Sequence, residues 1–148
     1  MNVPHRYQLR VYYEDTDAGG IVYHANYLRF AERARTEALR DAGIPHAELV
    51  HDYNRMFVVR RSELDYLRPA KLDEVLMIMT EPISVAGASV VLRQDIQAVD
   101  GQFCARLVLR LACVTIGGLP GAPATDMPRP VRLPPRWRNG LTAMMATY

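Results

Sequence analysis

The segment YEDTDAGGIVYHANY, residues 13–27, marks where this chain changes from strand to helix. The alternation before it predicts a strand over residues 7–14, with one face formed by Tyr7, Leu9, Val11 and Tyr13. Two aspartates and two glycines end that strand, and a tyrosine and a histidine precede the helix. Because loops held between rigid elements often carry catalytic groups, this segment is the first candidate for a functional site.

The helix is predicted from about residue 27 to residue 42, with Asn26 as its N-cap and Gly43 as its C-terminal stop. Its wetter side is marked by Arg29, Arg33, Arg40 and Asp41. A narrow stripe of small side chains runs along it, formed by Ala31, Ala34, Ala38 and Ala42. At about 1.5 Å per residue the helix is about 24 Å long, so this stripe can lie close against most of a sheet.

The rest of the pattern predicts sheet. After a short helical segment beginning near Pro45, four strands are expected over residues 56–67, 74–84, 89–98 and 102–116. Asp100-Gly101 is typical of a hairpin turn. In the last strand, one face is formed by Phe103, Ala105, Leu107, Leu109 and Leu111, and the other by Cys104, Arg106, Val108, Arg110 and Val114. The order of one strand, one helix and four strands predicts an α+β fold. One helix cannot cover both faces of such a sheet, which favours an oligomer.

Length and composition predict one domain over residues 1–148, with a core of about 7–116 and a proline-rich C-terminal extension, 117–148. A last helix is expected near residues 137–144. The 49% hydrophobic and 23% charged residues are those of an ordinary globular protein. A net charge of +2 is too small to argue for nucleic acid, and no apolar run is long enough for a transmembrane segment.

The cysteines and the N-terminus indicate the compartment of the protein, and its basic residues are nearly all arginines. The N-terminus lacks the apolar stretch of a signal peptide. Cys104 and Cys113 lie in one predicted strand, about 30 Å apart, so they cannot form a disulfide there. We therefore expect a cytoplasmic protein. Of the 18 basic residues all but Lys71 are arginines, which fits either a composition bias or anion recognition.

Residues 15–26 fit neither of two familiar metal sites. Asp15-x-Asp17-x-x-Gly20 copies the start of a calcium loop, but Gly19 and Asn26 stand where that loop needs further ligands. The spacing of the four histidines matches no zinc ligand pair. No metal or cofactor is therefore expected.

Two interpretations of the aspartates remain. Asp15 and Asp17 can act as turn and cap residues, with glycines supplying positive φ angles. Alternatively, Asp17 is a catalytic carboxylate, since it precedes a helix whose first N–H groups can bind a developing oxyanion. A carboxylate there can activate water or attack directly, which suits acyl transfer to water. No motif supports a serine or cysteine nucleophile.

The motif also resembles that of a known family. The matching residues are Tyr13, Asp17, Gly20, Val22, Tyr23, His24 and Tyr27. Their pattern is similar to the signature of the 4-hydroxybenzoyl-CoA thioesterase family of hotdog-fold enzymes. The runs YLRFAERARTE (27–37), FVVR (57–60) and YLRPAKLDE (66–74) resemble the Tol–Pal-associated (YbgC-type) acyl-CoA thioesterases. The resemblance covers about residues 9–116.

The resemblance implies a five-stranded antiparallel sheet wrapped around one long helix, acyl-CoA thioesterase activity without a cofactor, and a homodimer or homotetramer with its active site at the subunit interface. Asp17 matches the catalytic carboxylate, as nucleophile or general base, and His24 matches a histidine that assists. Tyr13 matches a residue near the site that is catalytic or packs there. Weaker implications are a loop and oxyanion region with Gly20, Val22 and Tyr23, and substrate contacts from Val59, Arg60 and Arg61.

The alternatives are an acyl carrier protein thioesterase and a non-catalytic module that binds acyl-CoA or a partner. An acyl carrier protein and proteins of the Tol–Pal system or of phospholipid synthesis are the partners that the resemblance implies. Two departures from the family are Gly19 beside Gly20, which loosens the loop, and Ala31, where a bulkier residue is expected.

Overall fold

The computed structural model describes residues 3–116 and 127–145. Its five strands are β1 (His5–Arg10), β2 (Arg55–Tyr66), β3 (Val75–Val85), β4 (Ser89–Ala98) and β5 (Phe103–Thr115). Its α-helices are α1 (Asn26–Asp41), α2 (His46–Tyr53) and α3 (Pro135–Met144). A single 3₁₀ turn, Tyr13–Asp15, lies between β1 and α1.

The strands form one antiparallel sheet in the order β1-β3-β4-β5-β2. The hairpin predicted at Asp100-Gly101 joins β4 to β5, and Gly101 takes the positive φ of 86° that such a turn favours. β1 and β2 are the edge strands, and β2 contains a bulge at Arg60, between the paired residues Val59 and Arg61. The predicted fold class, a hotdog-type sheet around a long helix, is confirmed.

Helix α1 packs on the inner face of the sheet through the predicted small-residue stripe. Ala31, Ala34 and Ala38 are buried, whereas Ala42 is exposed beyond the helix end. The predicted stop at Gly43 is confirmed: the N–H groups of Gly43 and Ile44 donate to the carbonyls of Arg40 and Leu39, which closes a Schellman motif. The predicted wet side is also exposed.

A buried polar residue joins α1 to the sheet. The Nε2 group of Gln94 on β4 donates to the carbonyl of Ala31 at 2.8 Å and to Oγ1 of Thr80 at 2.9 Å. Its Oε1 accepts from Nη1 of Arg35 at 3.1 Å. The amide is thus satisfied by two elements, as a buried polar group requires.

The described part of the C-terminal extension covers the core. Residues 127–134 run beside β5, where Val131 N–H donates to the Cys113 carbonyl at 2.9 Å. The expected last helix is α3, and it buries Trp137 and Leu141 against the cluster that contains Leu39. Residues 117–126 of the predicted extension lie outside the described residues.

Three local predictions are wrong. The first strand ends at Arg10 and not at residue 14, because Asp15 Oδ2 accepts the Tyr12 N–H at 2.8 Å and holds a tight turn. Tyr13 therefore leaves the predicted inner face and is 82% exposed. Asn26 is inside the helix and not its N-cap; the cap position is Ala25. Cys104, predicted on the wetter face, is buried at a register shift of β5.

Candidate active site

The loop between β1 and α1 is a small hydrogen-bonded turn. Thr16 and Val22 form an antiparallel bridge, Asp17 N–H donates to the Ile21 carbonyl at 3.0 Å, and Gly20 N–H donates back to the Asp17 carbonyl at 3.0 Å. Gly20 has a φ of 76°, which a residue with a side chain adopts only with strain. The sequence therefore folds the loop so that Asp17 stands at its turn.

Asp15 fastens the loop to the helix. Its carbonyl accepts the Tyr23 N–H at 2.9 Å and the side-chain amide of Asn26 at 2.9 Å, while its carboxylate caps Tyr12. These bonds make Asp15 a turn residue, which is the first of the two interpretations given for the aspartates. They also explain Asn26, whose side chain joins helix to loop.

The carboxylate of Asp17 faces solvent. Its Oδ1 accepts the Gly19 N–H at 2.8 Å, and a Cβ on Gly19 would lie 3.2 Å from that oxygen. Within the described residues this is the only hydrogen bond of the carboxylate, so its other oxygen is available to water or substrate. The absence of a side chain at Gly19 therefore leaves room for the Asp17 carboxylate.

Free N–H groups occur at the start of α1, where the sequence predicts them, whereas those of Gly20, Val22 and Tyr23 are occupied. The N–H groups of Gly20, Val22 and Tyr23 donate to the carbonyls of Asp17, Ala70 and Asp15, respectively. In the part of the chain that the structure describes, the N–H groups of His24 and Ala25 donate to no acceptor. A carbonyl oxygen bound at this end of α1 would therefore meet those two donors.

His24 lies at the helix start with two tyrosines beside it. Its ring centroid is 4.5 Å from that of Tyr23 and 6.3 Å from that of Tyr66, and Tyr66 Oη donates to its carbonyl at 3.0 Å. The side chain itself is exposed. Tyr13, by contrast, points to solvent, and its carbonyl accepts from Thr16.

An apolar cavity of about 350 Å³ adjoins His24. Tyr27 and Tyr66 form part of its wall, and their rings are in contact at 5.7 Å. The Tyr27 phenol accepts the Ala70 N–H at 3.2 Å, and burial raises its pKa above the ordinary value, so it stays neutral. Tyr66 was not predicted as a site residue. It lies 42 residues from His24 in the chain, and only the fold brings the two into contact.

The predicted substrate residues of β2 lie on the open edge of the sheet. Val59 is 53% exposed, Arg60 occupies the bulge, and Arg61 forms a 2.6 Å ion pair with Glu63. Val59 also lines a second cavity, of about 250 Å³, between α1 and the sheet. Neither cavity has Asp17 in its lining.

Other classes of site are not represented in the described residues. Within residues 3–116 and 127–145, no three His, Cys, Asp or Glu side chains gather as metal ligands would. None of the helices described is both long enough and apolar enough to span a membrane. Cys104 and Cys113 are free thiols, as predicted, and both are buried.

Comparison with known proteins identifies relatives of this chain. The acyl-CoA thioesterase YbgC of Haemophilus influenzae is 43% identical over 111 residues, which are 75% of this chain and 81% of that protein. The acyl-CoA thioester hydrolase YbgC of Escherichia coli is 44% identical over 109 residues, covering 74% and 81%. A probable thioesterase from Bartonella henselae superposes with a TM-score of 0.76 at 36% identity, covering 88% of this chain and 99% of that one.

More distant structures share the fold. A 4-hydroxybenzoyl-CoA thioesterase, 20% identical, superposes with a TM-score of 0.81 over 92% of this chain and 96% of its own. The family model of the Thioesterase superfamily matches residues 19–105, which begin two residues after Asp17 and end in β5. The chain therefore belongs to the thioesterase superfamily and has its hotdog fold.

Proposed function

We propose that this protein hydrolyses acyl-CoA thioesters to a free acid and CoA, with Asp17 as the working carboxylate. The observation that carries the proposal is the pairing of a solvent-facing carboxylate with the unpaired N–H groups of His24 and Ala25 on one loop. The bacterial relatives, which are named as acyl-CoA thioesterases, support the choice of substrate class.

Two routes fit this geometry. As a general base, Asp17 takes a proton from water while the resulting hydroxide forms a bond to the thioester carbon. As a nucleophile, it attacks that carbon itself, and water then cleaves the anhydride. In both, the carbonyl oxygen gains negative charge that the two N–H groups stabilise, and the C–S bond breaks as the electron pair leaves with sulfur, which is then protonated.

We further propose that two copies of the chain complete each site across their β2 edges. β2 has 12 residues, its outer edge is unpaired within the described residues, and Val59 is exposed on it. An open, partly apolar edge strand invites pairing with another strand. Such pairing would cover Asp17, which one chain leaves in water. A homodimer or a dimer of dimers satisfies this arrangement.

The reaction is proposed to need no metal or organic cofactor and to take place in the cytoplasm, in keeping with the free thiols. His24 is proposed to orient the thioester from the wall of the 350 Å³ cavity. Activity unchanged after EDTA treatment and desalting supports the metal-free route, and a loss restored by one added metal overturns it.

A second candidate is hydrolysis of the same thioester on an acyl carrier protein. It is favoured by the exposed Arg60 at the bulge, since a basic rim attracts an acidic carrier. A non-catalytic acyl-CoA-binding module remains a third, which the available carboxylate of Asp17 argues against.

The test measures release of free thiol from short, medium and aromatic acyl-CoA esters, and from the same acyl chains on acyl carrier protein. A higher kcat/KM with CoA esters supports the proposal. A higher value with carrier-bound chains would favour the second candidate. Binding of CoA esters without any thiol release would overturn the proposed hydrolysis and support the non-catalytic module.

A further inference from the structure

The cavity between α1 and the sheet combines apolar walls with two arginines of the helix, Arg29 next to its exposed end and Arg35 farther along. Leu28 and Val59, both exposed, stand where it opens, and Leu107 and Leu109 of β5 form buried apolar walls. Arg35 also lines it, seven residues along α1 from Leu28. At about 1.5 Å per residue these two positions are about 10 Å apart along the helix axis.

The guanidinium of Arg35 has no carboxylate within ion-pair distance among the described residues, and the charge of Glu32, three residues earlier on α1, acts on it only from farther away. Arg35 is half-buried, and its only hydrogen bond within the described residues goes from Nη1 to the neutral Gln94 amide. Glu32 also lines the cavity, yet it is exposed and forms no ion pair with Arg35 in the described part of the chain. Burial lowers the pKa of Arg35 and the charge of Glu32 raises it, but the delocalised guanidinium stays cationic.

Arg68, which lines the cavity beside His24, is a useful contrast. Its guanidinium lies 3.5 Å from the Glu74 carboxylate and 3.5 Å from Cys104 Sγ. Arg68 therefore has a direct carboxylate partner, whereas Arg35 has only the more distant Glu32. Leaving a partly buried cation unpaired costs stability, so such a group is a candidate for ligand recognition.

His46, a titratable side chain near Arg35, is no counterion for it. It lies at the start of α2 with its ring 5.8 Å from that of Phe57, and both burial and the nearby Arg35 charge favour its neutral form. The charged residues that line the cavity are two arginines, Arg29 and Arg35, and one glutamate. The cavity is thus suited to an apolar chain that ends in an anion.

We propose that Arg35 is a specificity-determining residue that selects acyl groups with a carboxylate at their far end, bound in the 250 Å³ cavity between α1 and the sheet. This inference rests on the proposed thioesterase activity and adds the substrate class. The methylene chain contacts Leu28, Val59 and Leu107, and the terminal carboxylate accepts the remaining N–H groups of Arg35. A span of about 10 Å suits an extended chain of roughly six to eight carbons.

Matched pairs of CoA esters test this without any variant. Adipyl-CoA and hexanoyl-CoA share one chain length and differ in the terminal carboxylate, as do suberyl-CoA and octanoyl-CoA. We expect kcat/KM to be about tenfold or more higher for the carboxylate-bearing member of a pair, the ratio that a charged hydrogen bond supplies. Free adipate should likewise inhibit more strongly than free hexanoate.

Variants then assign the preference to Arg35. Arg35→Met keeps the chain length but removes the cation, and should lower kcat/KM for adipyl-CoA about tenfold while leaving hexanoyl-CoA within a few-fold. Arg35→Lys should retain part of the preference, because it keeps the charge. Arg33→Met is the matched control, since Arg33 is an exposed arginine outside this cavity and its loss should change neither substrate.

Failure of this inference differs from failure of the proposed function. Cleavage of CoA esters with no preference within the pairs, or equal losses for both members in Arg35→Met, overturns the role of Arg35 and leaves the thioesterase standing. Absence of cleavage for every CoA ester overturns both. Should Arg35→Met not fold, the wild-type ratios and the inhibition by free acids still decide.

Discussion

The hydroxyl of Tyr66, the last residue of β2, donates a 3.0 Å hydrogen bond to the main-chain carbonyl of His24, which stands just before α1. The bond joins the edge strand to the loop that carries Asp17. It fixes the residue whose N–H is one of the free donors at the start of α1 in the described residues. We therefore expect Tyr66 to position His24 and, through it, the proposed site.

Tyr66→Phe removes this bond and retains the ring that packs on Tyr27. We expect kcat to fall a few-fold with little change in KM, and the free energy of unfolding to fall by about 0.5–1.5 kcal/mol. Steady-state kinetics and urea denaturation measure the two effects. Tyr53→Phe is the control, because no hydrogen bond of that hydroxyl occurs in the described residues and its ring packs on Trp137, away from the site. Equal kinetics for both variants would contradict the role of Tyr66.

Asp17→Asn should lower kcat by about 10²–10⁴-fold, the usual range for loss of a positioned base or nucleophile. The fold should persist, because an asparagine oxygen can still accept the Gly19 N–H. Thiol release and circular dichroism provide the measurements. Asp15→Asn changes the neighbouring carboxylate, whose hydrogen bond is to Tyr12, and should keep most of the activity. Near-wild-type turnover in Asp17→Asn would rule out the assigned chemistry.

A site shared between two chains predicts complementation. Asp17→Asn lacks the carboxylate, and Val59→Trp blocks the cavity mouth, so each homodimer should be inactive. If Asp17 of one chain serves the cavity of its partner, a mixed dimer has one intact site, and random pairing then restores roughly one site in four. The readout is thiol release from co-expressed, differently tagged chains. Two tagged Asp17→Asn chains serve as the control, and mixed dimers that form without activity would refute the shared site.

Gln94→Leu should lower the free energy of unfolding by about 1–3 kcal/mol, since it leaves Thr80 Oγ1 buried without its partner and Arg35 without its acceptor. Thr80→Val removes only one of these bonds and should cost less. Urea denaturation at pH 7 compares them. A larger loss in Thr80→Val than in Gln94→Leu would show that the amide does not hold the helix to the sheet.

His46 predicts how stability depends on pH. Burial, followed by the positive charge of Arg35, lowers the pKa of His46 from its ordinary 6.5, so the unfolded chain takes up this proton first as the pH falls. The neutral side chain therefore contributes stability above about pH 6.5, and that contribution is lost below it. Denaturation at pH 7.5 and pH 5.5 should show a smaller difference for His46→Gln than for the wild type. An unchanged difference would contradict this effect.

Much of the fold was predictable because the signals are local. The alternation of β3, β4 and β5, the alanine stripe of α1 and the stop at Gly43 depend on neighbours along the chain, and the structure confirms them. The first strand was predicted too long, since the Asp15 carboxylate competes for the Tyr12 N–H and alternation alone does not reveal such a turn. The motif also predicted that Asp17 lies in the loop before the helix, where the structure has it.

What the sequence by itself determined is the set of reactive groups and their order on one loop: Asp17, the glycines after it, and His24 before a helix. Only the tertiary structure decided which N–H groups stay free, that Tyr66 holds His24, and that Arg35 faces a cavity with Gln94 as its hydrogen-bond partner. The physical reason is distance along the chain. These contacts join residues 42 and 59 positions apart, and only the packing of the helix against the sheet brings them together.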